Sequence, residues 1–320
     1  MVGHGLGGQI MKSEQAEREI RQTETEVANC PACCGLAIPE LIKIPDHEYG
    51  LDYLATYACC QNCGTLYQWP MPSGKQLSSF YPPHYHSMVD GGFLLRMRHD
   101  MRISRLKTMV GNGETVLDFG CGNGLFLRRA ASAMPEAKFI GYEIADQERK
   151  EEIAPRVVIM EGAFEECLSK LPPCRVIIMN HVIEHLPDPF SIVLQLREKL
   201  MPGGYFDGQT PNSVSLEHKI FGQLWSGFHA PRHTVIFSAE GLRRLLERAG
   251  FTEIKIKAAF NPAGYAISFA SLPHGNHKGN IRRQGLKWLL YVAGATFVLP
   301  IDFWSGMPSM IDFTGVIKTA

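Results

Sequence analysis

The sequence is short of charge. One residue in five is Asp, Glu, Lys or Arg, and 32 basic residues cancel 32 acidic ones, which excludes a global attraction to polyanions and leaves only local patches. A long hydrophobic run is also missing. The uncharged apolar stretch from Trp288 to Ile301 has 14 residues, too few to cross a bilayer, which needs roughly twenty. No internal repeat or low-complexity tract interrupts a composition that is 45% hydrophobic, enough for a sizeable core. Met1 to Gln9 is glycine-rich and Lys12 to Glu26 is strongly polar, so the order of a secretory signal is absent. Residues 1–29 read as a flexible polar leader, and the expected location is cytoplasmic.

Cysteine, by contrast, is present nine times. An odd count with tight pairs suits a reducing compartment and metal binding better than a disulfide framework. Cys30-Pro31-Ala32-Cys33 and Cys60-Gln61-Asn62-Cys63, each followed closely by glycine, can set four thiolates at the corners of a tetrahedron around Zn²⁺. Such a site is structural, because four thiolates leave no open position. Cys34 and Cys59 read as buried free thiols. Glu40, Asp46, Glu48 and Asp52 outnumber Lys43 between the two turns, the wrong sign for a nucleic-acid-binding ribbon. The ribbon is expected over 30–70. A linker and helix follow over 71–112, with prolines at 70, 72, 82 and 83, His84 and His86 as surface histidines, and a helix from Phe93 to Val110.

Thr115 to Gly124, T-V-L-D-F-G-C-G-N-G, reads as a strand, a glycine turn and the start of a helix. The glycines permit positive φ and close approach of a ligand to the backbone, and the helix offers unpaired N–H groups. Short apolar runs at 138–143, 156–160, 175–180 and 205–209, separated by helical segments, indicate a parallel sheet covered on both faces. Two final strands are expected at 253–260 and 310–318. Glu143, at the end of the second strand, can accept hydrogen bonds from two ribose hydroxyls. Asp118 before the first glycine would repel a pyrophosphate and pair with a cation such as a sulfonium carrying an ammonium group.

These residues, with N-H-V-I-E-H-L-P-D-P, L-M-P-G-G-Y and Q-T-P-N further on, resemble the successive motifs of class I S-adenosylmethionine-dependent methyltransferases. Within them the chain is similar to a subgroup with an N-terminal four-cysteine zinc knuckle and an Ala-Pro-Arg-His segment, here Ala230 to His233. The resemblance implies an α/β, Rossmann-like, seven-stranded, mostly parallel sheet with an antiparallel final strand, formed by 113–260 plus 305–320. It implies Asp118, Gly120, Cys121, Gly122 and Gly124 around the methionine part of S-adenosylmethionine, and Glu143 on its ribose. Asn180 and His181 fall beside the methyl group. Two departures stand out. Gly162-Ala163-Phe164 replaces an acid near the adenine, so Phe164 is placed at the adenine instead, and Asp207 occupies an apolar strand position, facing the site or marking a bend.

Methyl transfer needs alignment and removal of a proton. His233, then His229, then His181 are the candidate general bases, and Arg232 is either an anchor for an anionic substrate group or a surface charge. His181-Val182-Ile183-Glu184-His185 also spells the inverted zincin motif. A metalloprotease is set aside because the motif follows a buried strand, is cut short by Pro187 and Pro189, and lacks an evident third ligand. The insertion 261–304 reads as a lid, or, through Lys278, Arg282, Arg283 and Lys287 before the apolar run, as an interfacial helix at 286–304. The expected acceptor is a small molecule or a carbohydrate- or lipid-linked intermediate. The alternatives are an RNA methyltransferase and a non-catalytic cofactor-fold binding protein.

Overall fold

A computed structural model describes residues 29–35, 41–81, 92–144, 149–272 and 286–318. The leader up to residue 28, His84, His86, Lys278, Arg282 and Arg283 lie outside the described residues.

The strands in chain order are β1 (Ile42–Pro45), β2 (Leu54–Cys59), β3 (Leu66–Gln68), β4 (Thr115–Phe119), β5 (Lys138–Ile144), β6 (Arg149–Ala154), β7 (Val157–Gly162), β8 (Cys174–Asn180), β9 (Leu200–Pro211), β10 (Val235–Ile236), β11 (Thr252–Ala258) and β12 (Met310–Val316). Eight of them form the main sheet in the order β11-β12-β9-β8-β4-β5-β7-β6. β4 pairs in parallel with both β5 and β8, so the chain reverses its direction of travel across the sheet at β4 and opens a crevice at the strand ends. β12 enters last and runs antiparallel to both β9 and β11.

β4 is buried along its whole length because both of its faces are covered. Val116, Ile178 and Phe139 pack with Ile103 and Leu106 of the helix Phe93–Leu106 and with Phe126 and Leu127 of the helix Leu125–Ala133. Leu117, Ile177 and Phe206 point the other way, toward Val193, Leu196, Leu242 and Leu245 of the helices Pro189–Arg197 and Ala239–Arg248. Ser238 caps the latter by accepting from the Gly241 N–H at 2.8 Å, and Gly250 follows its end at φ 82°.

The expected seven-stranded sheet is present with one strand more. β6 is polar in sequence, Arg-Lys-Glu-Glu-Ile-Ala, and joins β7 antiparallel at the edge, where a strand pairs on one side only and needs no continuous apolar run. β9 is also longer than expected. It takes in Pro202-Gly203-Gly204 by a register shift opposite Cys174 and Val176.

The cysteine-bearing segment is built into the molecule. β1, β2 and β3 form a small antiparallel sheet completed by β10, which comes from the chain just after His233. One face, with Cys30, Cys63 and Tyr67, belongs to the same apolar cluster as Leu242 and Phe206. The other, with Ile44 and Tyr57, packs with Trp225, Phe228, Tyr265 and Ala295.

Two helices, Pro262–Ser271 and Leu286–Trp304, make up the described part of the insertion. The second is 19 residues long, exceeding the uncharged run because Asp302 is buried inside it. That carboxylate accepts from Tyr265 Oη at 2.8 Å and from the Ser309 N–H at 2.9 and 3.0 Å. Among the described residues no helix is long and apolar enough to cross a membrane.

Candidate active site

The crevice begins at the glycine turn. Gly120 and Gly124 have φ of 79° and 72°, where a side chain is strained. A Cβ on Gly120 would overlap Val182, and one on Gly124 would stand 2.6 Å from Ile153 Cδ1. Glu143 Oε2 reaches back to accept from the Gly122 N–H at 2.7 Å, which joins the ends of β4 and β5. Burial pushes the Glu143 carboxyl upward, against these backbone hydrogen bonds. Asp118 is 5% exposed. Burial drives its carboxyl up to about 7, opposed by the nearby Arg102.

Of the remaining expected cofactor residues, Asn180 is half-buried at the end of β8. Cys121 is buried beside Gly141, whose missing side chain makes room for the sulfur. Phe164 is a core residue, 9% exposed, at the start of the helix Phe164–Lys170. Its ring packs edge-on against Phe119 at 5.5 Å and Tyr142 at 6.0 Å.

Three arginines missed in the sequence line the crevice from the helix Phe93–Leu106. Arg98, Arg102 and Arg105 follow i, i+4, i+7 spacing and so share one face, a signal hidden by the basic residues around them. Arg98 donates to His181 Nε2 and Gln209 Oε1, both at 2.9 Å. His181 Nε2 faces both the Arg98 guanidinium at 2.9 Å and the Gln209 amide oxygen at 3.0 Å, and burial with Arg98 and Arg102 holds the ring well below its usual range. His181 also has φ 55°, a backbone strain of the kind found at functional sites. Arg102 Nη2 is buried without a hydrogen-bond partner among the described residues. Arg105 pairs with Asp207 Oδ1 at 2.5 Å, and Thr314 donates to the same oxygen. Asp207 is therefore a buried ion-pair residue between β9 and β12.

The segment Phe228 to His233 forms the opposite wall, and here the sequence reading needs correcting. Arg232 is neither a surface charge nor free for a substrate. It is completely buried, pairs with both oxygens of Asp46 at 2.8 and 3.1 Å, and lies 4.5 Å over the Tyr49 ring. His229, at φ 36°, has both nitrogens engaged: Nδ1 donates to Glu48 Oε2 at 2.5 Å and Nε2 accepts from Arg232 Nε at 3.0 Å. No lone pair is left on it for a proton. His233 differs. Its Nδ1 donates to the Gly227 carbonyl at 2.8 Å, which leaves the Nε2 lone pair uncommitted, 3.9 Å from Glu184 Oε1.

The four predicted ligand cysteines come together. Cys30 and Cys63 sulfurs are 3.8 Å apart, Cys33 and Cys60 sulfurs 3.5 Å, and all four lie within 4.8 Å of one another. Metal–sulfur bonds of about 2.3 Å at tetrahedral angles require roughly 3.8 Å between sulfurs, so the set fits one zinc ion. Cys34 and Cys59 lie outside the group, and neither is buried as expected: Cys34 is exposed and Cys59 half-buried.

A family model described as a methyltransferase domain matches residues 95–256. A protein of Mycolicibacterium smegmatis named as a probable S-adenosylmethionine-dependent methyltransferase is 31% identical over 169 residues, 53% of this chain and 63% of the relative. The chain thus spans under two thirds of that relative's length. A ubiquinone biosynthesis O-methyltransferase of Idiomarina loihiensis is 30% identical over 179 residues, 49% of this chain and 70% of the relative. A solved S-adenosylmethionine-dependent methyltransferase from Archaeoglobus fulgidus aligns with TM-score 0.44 and 19% identity over 71% of this chain and all of that one. With the glycine turn, the acid ending β5 and the reversal at β4 already in place, the chain belongs to the methyltransferase-domain family of class I S-adenosylmethionine-dependent proteins.

Proposed function

We propose that the chain transfers a methyl group from S-adenosylmethionine to a small-molecule, carbohydrate or lipid-linked acceptor. The observation that carries this is the crevice at β4, with Glu143 held on the Gly122 N–H and a buried Asp118 beside Arg102. Asp118 and the turn at Gly120, Gly122 and Gly124 hold the methionine part, Asp118 pairing with its ammonium. Arg102, whose buried Nη2 has no hydrogen-bond partner among the described residues, takes its carboxylate. Glu143 releases the turn and accepts from the ribose hydroxyls.

In the transfer the acceptor's lone pair bonds to the methyl carbon as the carbon–sulfur bond breaks, its electrons returning to sulfur to give S-adenosylhomocysteine. The acceptor's proton leaves on the side of His233, the one histidine of the loop with an uncommitted lone pair. His181 and His229 position the site through Arg98 and Arg232. Losing the charged acceptor in Glu143→Ala should weaken S-adenosylmethionine binding by about tenfold to a hundredfold. Unchanged affinity in titration calorimetry would remove the ribose assignment. Zinc on Cys30, Cys33, Cys60 and Cys63 completes the reading, as a structural ion.

A lipid-linked acceptor is favoured by one feature. The helix Leu286–Trp304 exposes Leu289, Leu290, Phe297, Ile301 and Trp304, the last at 92%, which suits contact with a membrane surface. Sedimentation with anionic vesicles should deplete the protein from solution, and Phe297→Glu/Trp304→Glu should restore it. Equal depletion of both proteins would count against membrane contact.

A further inference from the structure

The sequence segment His181 to His185 carried a metal-ligand motif that lacked a third ligand. Tertiary structure supplies one. Glu184, His185 and His233 each bring one ligand atom within 4.8 Å of the others. Glu184 and His185 come from the turn after β8, and His233 from the loop before β10.

The protons around this group are fixed by its neighbours. His233 Nδ1 faces the Gly227 carbonyl at 2.8 Å, and a carbonyl only accepts. The ring proton is on Nδ1, and Nε2 carries a lone pair. His185 Nδ1 lies 3.1 Å from the Arg232 carbonyl and 2.9 Å from Tyr81 Oη. A lone pair there would oppose those of the carbonyl, so Nδ1 holds the proton and Nε2 the lone pair again. Glu184 is completely buried. Its Oε2 accepts from Thr210 Oγ1 at 3.1 Å, while Oε1 has no hydrogen-bond donor among the described residues. His181 Nδ1 stands 3.5 Å from that oxygen but does not hydrogen-bond it. The group therefore brings together electron-pair donors, one of them a fully buried carboxylate oxygen, with no donated hydrogen at that oxygen. Burying such a set is costly unless a cation joins it.

We propose that Glu184, His185 and His233 bind a divalent transition-metal cation of the zinc class. Imidazole nitrogens select such ions over Mg²⁺ or Ca²⁺, which prefer all-oxygen sets. The backbone carbonyls on both Nδ1 atoms are the outer partners that metal-binding histidines use to fix their tautomer. Bonds of 2.0–2.2 Å at tetrahedral angles place ligand atoms about 3.3 Å apart. The 3.9 Å between His233 Nε2 and Glu184 Oε1 closes to that by a small side-chain rotation. Three protein ligands leave an open coordination position, unlike the four thiolates. On the methyl-transfer reading above, on which this role but not the binding rests, an acceptor oxygen takes that position. The cation then lowers its pKa, and the proton passes to solvent in place of a transfer to His233, whose Nε2 lone pair the cation holds.

The test is Co²⁺ binding to the full chain after removal of bound metal. Thiolate ligands give a sulfur-to-metal charge-transfer band, and a nitrogen–oxygen site gives ligand-field bands without one. Wild type should take about two ions per chain, one of each kind. His233→Asn and Glu184→Gln should each hold about one, with the charge-transfer band intact as the sign that the fold survives. If wild type shows no ion lacking sulfur character, or if both variants keep the second ion, the proposal is overturned. Turnover lost in His233→Asn with the second ion retained would make His233 a bare base and equally overturn it. S-adenosylmethionine affinity in the same samples separates the two readings. A chain that holds the second ion but binds no S-adenosylmethionine would sink the methyl-transfer assignment and leave the metal site standing.

Discussion

Asp118 shows how one side chain couples ligand, fold and pH. Burial moves its carboxyl from the ordinary aspartate range up to about 7 in the folded chain. A buried acid that prefers its proton stabilises the ligand-free fold below the unfolded value, and this contribution is lost as pH rises through about 7. Binding of a cationic ligand runs the other way, since only the ionised carboxylate attracts it. S-adenosylmethionine affinity should fall as pH is lowered below about 7, by up to about tenfold per unit, and Asp118→Asn should flatten the profile. Calorimetric titrations on either side of neutrality measure both. A profile equally steep in the variant would assign the dependence to another group. Asp118 was picked from its place before the glycines, whereas Arg102, which tempers it, was not. The spacing of 98, 102 and 105 gives a shared helix face, but nothing local says that this face looks into a crevice.

At the scale of elements, the segment from Phe228 to His233 is held by the cysteine-bearing sheet. Gln68 Nε2 donates to the carbonyls of Pro231 and His233, Tyr57 Oη donates to that of His233 at 2.7 Å, and Asp46 takes the Arg232 guanidinium. Removing one member of a buried pair strands the other. Arg232→Ala should therefore cost about 3–5 kcal/mol of stability, and the apolar double replacement Asp46→Leu/Arg232→Met much less. Urea unfolding of the three proteins decides it, and a double variant as unstable as the single one would contradict the ion-pair account. Ala-Pro-Arg-His was visible as a motif, yet its arginine was misread, because its partner lies 186 positions away. β6 went unseen for a related reason: a polar edge strand has no periodic apolar signal, and only its pairing with β7 makes it a strand.

For the whole molecule, the consequence is that a metal bound at the cysteines would support the main sheet as well as the small one. Cys30 and Cys63 share one apolar cluster with Phe206 and Leu242, and Arg248 donates to the Ala32 carbonyl at 2.7 Å. Chelation, or Cys60→Ser, should lower the unfolding temperature of the entire chain in a single transition, as expected when a structural metal contributes folding free energy. Scanning calorimetry showing a separate ribbon transition, with the main one unmoved, would make the ribbon an independent unit.

What the sequence by itself determined is whatever depends on local spacing. This covers the glycine turn after β4, the buried strands with both faces apolar, the acid closing β5, and the two cysteine turns whose sulfurs meet. These follow from φ, from period and from short loops, which a chain carries wherever it goes. Tertiary structure alone decided which charged and polar side chains found partners. Arg232 went to Asp46, Asp207 to Arg105 and His229 to Glu48, and Glu184 Oε1 was left beside His233 with no hydrogen-bond partner among the described residues. Pairing of buried charge depends on distance across the fold, and one chain's residue order does not encode that distance locally.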